Sequence, residues 1–219
     1  GSGANALYLA GPATANSVNL NNVSLSSAQA SAINIASGSA NIELSGGSVT
    51  AGTRPWLNVA AGASAQVTLK DSQRVTGSTQ MLATGTSDLL LNSGATWELT
   101  ANSQLSSLAF NDGKLIFSAN AAITTNSPVT LSGNGGEFDS NGLNVSFANQ
   151  LQGNGQLLKS GAGTLTLTST GSSIGSVDVQ SGVLNFDQSG TFSTSGDFIT
   201  RNGATTQLGF IPTQINVGG

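Results

Sequence analysis

Glu137 and Asp139 flank Phe138 in the stretch GGEFD, so on a strand their two carboxylates share one face. Acids placed as a pair are what general acid/base cleavage of a glycosidic bond requires. A second charged group, Lys70-Asp71-Ser72-Gln73-Arg74, sets an acid among cations, as a polysaccharide-cleaving site with an arginine base and an Asp-bound calcium would. Each group has a plainer reading. Gly135-Gly136 and Asn141-Gly142 mark ordinary turns around the first, which makes Glu137 and Asp139 solvated strand positions, and Lys70, Asp71 and Arg74 read as a surface charge cluster. A third group, Thr53-Arg54-Pro55-Trp56, puts a cation, a proline and a large aromatic in one turn. Arg and Trp are enriched where proteins bind partners, so Arg54 and Trp56 are the ligand-binding candidates; Trp56, just before Leu57 and Val59, is equally placed to cap a core.

Other chemistries are removed by what the chain lacks. Gly153, Gly155, Gly161 and Gly163 crowd the stretch LQGNGQLLKSGAGTLTLTS, but a phosphate-cradling turn runs from a strand into a helix, and this one runs into the alternation from Thr164 to Thr168. GNGGEFD has the outline of a calcium repeat, G-G-x-G-x-D, yet it occurs once and such sites need stacked copies, so no metal is expected. Histidine and cysteine are both absent, which excludes Ser-His-Asp and Cys-His nucleophiles, disulfides and most zinc chemistry. No catalytic residue and no cofactor are assigned. A net charge of −4 with six Lys and Arg cannot form the basic patch that nucleic acid or an anionic membrane surface demands. No apolar run is long enough to span a bilayer, and GSGANALYLAG lacks the basic start and apolar core of a signal peptide. Gly1-Ser2 reads as a cloning remnant, so the chain is expected to be a piece of a longer protein.

The elements that must carry these residues are short. Apolar-x-apolar pairs recur from Leu7/Leu9 through Ile33/Ile35, Leu57/Val59, Trp97/Leu99, Leu115/Phe117 and Leu165/Leu167 to Leu184/Phe186, separated by Ser, Asn, Gly, Ala and Asp. Leu20, Leu44, Leu69, Leu91 and Leu115 stand 24, 25, 22 and 24 residues apart, with one or two further pairs between them. That spacing predicts an all-β parallel β-helix of three-strand coils, about 22–25 residues each, with the inward residue of each pair forming one apolar stack. An antiparallel sandwich also yields many short strands, and the brevity of the pairs favours the helix. Pro12, Pro55, Pro128 and Pro212 are scattered and no charged linker divides the chain, so the reading is one solenoid: Ala/Ser/Asn-rich coils over 1–92 and a C-terminal part over 93–219. All eight phenylalanines, Phe110 to Phe210, lie in the second half, which is therefore expected to be the more stable part.

Within that second half, residues 136–186 resemble the passenger-associated strand repeat of bacterial autotransporters, the proteins of type V secretion. The pattern G-x-L-x-K-x-G-x-G-T-L-x-L is met by Gly155, Leu157 or Leu158, Lys159, Gly161, Gly163, Thr164, Leu165 and Leu167, and SGVLNF (181–186) resembles its closing turn and strand. Residues 93–117 are similar to the pertactin-like segment of many passengers at Trp97, Ser103, Leu105, Leu108, Gly113 and Phe117. The tail from residue 187 departs from the repeat. The resemblance implies a right-handed parallel β-helix displayed on the bacterial cell surface after export through periplasm and outer membrane. It also implies membrane attachment only through a C-terminal β-barrel absent from this chain, and a C-terminal segment that promotes folding during secretion.

Activity is not fixed by such a resemblance, since the family holds adhesins, aggregation factors and proteases. Outward Ser, Thr, Asn and Gln offer many weak hydrogen bonds, which suits an adhesin whose partner is a host surface glycan or matrix protein, or a like molecule on another cell. The alternative is a polysaccharide-active β-helix enzyme working through Glu137 and Asp139.

Overall fold

The computed structural model describes residues 4–11, 16–209 and 214–218, so Phe210, Pro12, Pro212 and the Gly1-Ser2 start lie outside the described residues. Strands of period-two alternation bury one side chain in two, and a single short strand cannot cover its own apolar edge; stacking in register on the next coil solves this. The described residues contain no helix, and their strands pair in parallel to form a solenoid of about nine turns. No described pairing is antiparallel, which removes the sandwich.

Each coil contributes three strands to three faces. Face 1 runs from Leu7–Leu9 through Ile33–Ile35, Leu57–Val59, Thr79–Met81, Ser103–Leu105, Ile123–Thr125, Val145–Phe147, Thr164–Leu167 and Val183–Phe186 to Thr205–Leu208. Faces 2 and 3 are joined at the start by the long strands Asn16–Ser27 and Ser39–Ala51, which serve one face with each half. Afterwards face 2 continues with strands such as Thr86–Asn92 and Ser107–Asn111, and face 3 with Arg74–Thr76, Thr96–Leu99, Gly113–Phe117, Gly136–Asp139, Gln156–Ser160 and Ser176–Val179. The corner between them is repeatedly turned by left-handed residues, among them Asn22, Asp71, Ser93 and Asp112, where short polar side chains tolerate positive φ.

Coil length varies more than the spacing of leucines suggests. Leu20, Leu44, Leu69 and Leu91 are in register as expected, but the next residue in that column is Phe110, not Leu115. Leu115 lies one face further on, between Trp97 and Phe138. Leu7 pairs with Ile33, Trp97 with Leu115 and Phe192 with Ile215, so the coil shortens from 26 to 18 residues and lengthens again to 23 as the connecting turns change. The tail does not leave the solenoid either: Thr191–Thr194 pairs with Gln214–Val217 and Val183–Phe186 with Thr205–Leu208, forming the last coils.

The interior is one apolar column from Ala32 to Phe192. Aromatic rings from the three faces meet in the interior, within one coil or across two neighbouring ones. Phe110, Phe138 and Phe147 come from faces 2, 3 and 1, with centroids 5.2 and 5.1 Å apart. Phe186 touches Phe192 at 4.8 Å and Phe198 at 6.1 Å in the same manner. The first half is not without aromatics in its core, because Trp56 and Trp97 are fully buried.

Faces 2 and 3 form an unbroken seventeen-stranded sheet, whereas face 1 is split into runs of four, two and four strands. At the first split, between Thr79–Met81 and Ser103–Leu105, side chains replace the backbone ladder. Thr79 N–H donates to Ser103 Oγ at 3.0 Å and Thr79 Oγ1 donates to the Gln104 carbonyl at 3.0 Å. Thr79 and Ser103 are themselves buried. Asn149 bridges the second split, donating through Nδ2 to the Ile123 carbonyl at 2.8 Å and accepting from Thr125 Oγ1 at 3.0 Å.

Candidate functional site

Alternation along Gly136–Asp139 does place Glu137 and Asp139 together on the outer surface of face 3, with Phe138 inward. In the neighbouring coil Lys114 stands opposite Glu137 and reaches both acids, at 2.7 Å to Glu137 and 2.9 Å to Asp139. Glu137 Oε1 also accepts from Ser160 Oγ at 2.6 Å. Burial pushes the Asp139 carboxyl up, but the Lys114 hydrogen bond, the Asn141 N–H and the positive charges of Lys114 and Lys159 outweigh it and hold the group below its ordinary value. A general acid needs the opposite shift. The pair is the centre of an ion cluster, with Glu137 Oε1 and both Asp139 oxygens already engaged.

Lys70, Asp71 and Arg74 are not brought together. Gln73 between them turns into the core, Lys70 pairs with Glu43 at 2.8 Å, Asp71 accepts from Ser45 Oγ at 2.6 Å, and Arg74 pairs with Glu98 at 3.0 Å. Each partner lies about one coil away. The same rule places Arg201 on Asp178 at 2.9 Å, where that hydrogen bond lowers the Asp178 carboxyl despite burial. Folding the sequence at the coil length would have revealed these pairs, which reading along the chain separates. No group of three or more metal-ligating side chains occurs among the described residues.

Arg54 and Trp56 part company. Arg54 is exposed, while Trp56 is fully buried beside Gly77 and exposes no surface to a ligand. The joint Arg54/Trp56 contact surface is thereby corrected: Trp56 lies just before the strand Leu57–Val59, whose alternation has Leu57 and Val59 inward, and its indole is buried at the corner against that alternation, as an aromatic of that size is when a core is open beside it.

Around residues 155–167 the geometry gives every motif residue a structural part. Leu165 and Leu167 point into the core of Thr164–Leu167, and Thr164 N–H donates to Asn144 Oδ1 at 3.1 Å. Gly161 has φ +76°, and a Cβ at Gly163 would strike the Leu143 carbonyl in the preceding coil. Lys159 is the residue whose role the sequence did not show. It occupies an inward position with Phe138 and Val179 as register neighbours, is 0% exposed, and donates its three ammonium protons to the carbonyls of Ser160, Gly161 and Ser181 at 2.6, 2.9 and 3.0 Å. Burial pushes the ammonium down to about 8, against the pull of the Asp139 charge. The alternation Gln156-Leu157-Leu158-Lys159, with Leu157 in and Leu158 out, was the available signal.

Face 1 carries a different chemistry. Its outward side chains follow one another coil by coil as Asn34, Asn58 and Gln80, then Gln104 and Thr124, then Ser146, Thr166, Asn185 and Gln207. Asn58 Nδ2 donates to Asn34 Oδ1 at 2.7 Å, so part of this column is an amide ladder. No charged residue stands in it.

No family model and no solved structure matches the chain. A stretch of 122 residues is 33% identical to the Adhesin BmaC autotransporter of Brucella suis biovar 1 (strain 1330), covering 53% of this chain and 4% of that protein's length. A parallel β-solenoid of about nine turns, with half its length similar to an autotransporter adhesin, fits a section of an autotransporter passenger.

Proposed function

We propose that the chain is a section of a surface-displayed passenger that works as an adhesive scaffold, with residues 93–219 as the part that folds first during secretion. The similarity to an autotransporter adhesin, carried on a parallel solenoid, is the observation that supports this reading. Physics agrees with the division of labour. Folding outside the cell without a chemical fuel needs a nucleus whose burial outweighs chain entropy, and the ring clusters around Phe138 and Phe186 supply the largest such burial in the second half. Adhesion then rests on many uncharged donors and acceptors, toward a host surface glycan, a matrix protein or a like molecule on a neighbouring cell. Display of the full-length protein on bacteria, compared with its barrel alone, tests this: surface binding or cell aggregation is expected. Absence of both, or polysaccharide cleavage lost on Glu137→Gln or Asp139→Asn, would replace it with the enzyme reading.

A further inference from the structure

The first split of face 1 is not closed over. On one side of the ridge made by Gln104 and Thr124 lies a cleft of about 430 Å³, walled by Pro55, Gln80, Asn102 and Ala122 among others. On the other lies one of about 500 Å³ that includes Met81 and Asn126. A third, about 340 Å³, shares Pro55 and Gln80 with the first and brings in Asn58 and Arg54. The first and third join into a trough that runs along the solenoid axis past four successive coils at Asn58, Gln80, Gln104 and Thr124, with the second flanking it beyond the ridge.

From this trough we infer a binding site for an uncharged oligosaccharide lying along the axis. Its walls contain no acid and no lysine, and its single cation, Arg54, stands at one end. Face 3, by contrast, is laced with ion pairs. A charged chain would find no counter-charge along most of the trough. Amide and hydroxyl side chains both donate and accept, which matches sugar hydroxyls, and Pro55 and Ala122 offer small apolar patches to ring C–H groups. Coils repeat at ~4.8 Å, so consecutive side chains meet a chain about once per sugar ring. An extended peptide is the poorer occupant, because its fixed row of N–H and C=O groups pairs with a strand edge, and here the strands run across the trough. The split is also built: two buried polar side chains, Thr79 and Ser103, join the coils where an ordinary backbone ladder would otherwise do so.

The inference rests on the adhesive reading above and deepens it. The test is direct binding of the 219-residue chain to labelled neutral hexamers of β-1,4-linked glucose and of mannose, with hexagalacturonate and an uncharged extended hexapeptide as comparators. Gln80→Ala/Gln104→Ala removes two exposed side chains and leaves the core intact; an unchanged thermal midpoint confirms this. Gln104→Glu adds charge at constant shape, and Gln152→Ala on face 2 is the control. A neutral hexamer should bind, the double variant should weaken it roughly tenfold, as two lost hydrogen bonds imply, Gln104→Glu should also weaken it, and Gln152→Ala should not. No binding of either neutral hexamer, equal binding by the double variant, or preference for hexagalacturonate or the peptide would overturn the site. If the displayed full-length double variant still adheres as the parent does, the trough is wrong while the adhesive reading stands. If the parent does not adhere or aggregate at all, it is the adhesive reading that fails.

Discussion

Lys159 is a charge placed where the pattern calls for a leucine. Its three protons are matched by three carbonyls, those of Ser160 and Gly161 in the adjoining turn and of Ser181 in the next coil. The ammonium titrates near 8 in the folded chain and at the ordinary lysine value of 10.5 when unfolded. The unfolded state thus binds more protons between those two values, and stability contributed by this residue rises as pH climbs through that window, by up to about 3 kcal/mol. Denaturant midpoints of the parent should gain on those of Lys159→Met between pH 8 and 10.5; parallel curves would show that the carbonyl cage, not desolvation, sets its titration. Residue identity was legible here only in part. The alternation that sends Leu157 inward also sends Lys159 inward, but a lysine read alone suggests solvent, as Trp56 beside Arg54 suggested a contact surface and turned out to be core.

Strands were the readable element, and turns were not. Nearly every apolar-x-apolar pair is an inward pair of a strand, because burial selects side chains at period two whatever the coil length. The leucine series failed at Leu115 because coil length is set by polar turns whose residue number leaves no trace in the apolar pattern. The residues that match the pertactin-like segment, Trp97, Ser103, Leu105, Leu108, Gly113 and Phe117, are all buried, which is why they stood out while the solvent-facing trough went unnoticed. Where a turn is steeply constrained it can be tested. At Gly161 a side chain meets a positive φ and the Asp139 carboxylate, and at Gly163 it meets the Leu143 carbonyl. Gly161→Val and Gly163→Val should each cost on the order of 1–3 kcal/mol, and, on the proposed passenger reading, the double variant in the full-length protein should reach the surface poorly while the barrel that reading implies still inserts. Normal surface levels with unchanged protease resistance would reduce both to loose turn residues.

Across the whole molecule stability is expected to be graded. Partly buried apolar residues sit in both end coils, Leu7 and Leu9 at one and Phe198 and Ile215 at the other, and between them the column from Phe110 to Phe192 holds the rings in mutual contact. Limited proteolysis should leave a C-terminal core beginning between about residue 80 and about residue 110, the region of the first face-1 split. A resistant fragment from the other half would reverse the assignment of the nucleus. The split has a mechanical side as well. A passenger that tethers a cell is pulled lengthwise, and ladder bonds between coils lie along that pull, so coil boundaries bear the load one after another. Most boundaries share it among three backbone ladders. The two face-1 splits, between Thr79–Met81 and Ser103–Leu105 and between Ile123–Thr125 and Val145–Phe147, have two, with side-chain bonds from Thr79 and Ser103 and from Asn149 standing in for the third. Under tension these boundaries are the fuses: single-molecule stretching should show extension starting at them, and cross-linking face 1 across both should raise the rupture force, whereas an unchanged first rupture would mean that two ladders bear the load as well as three.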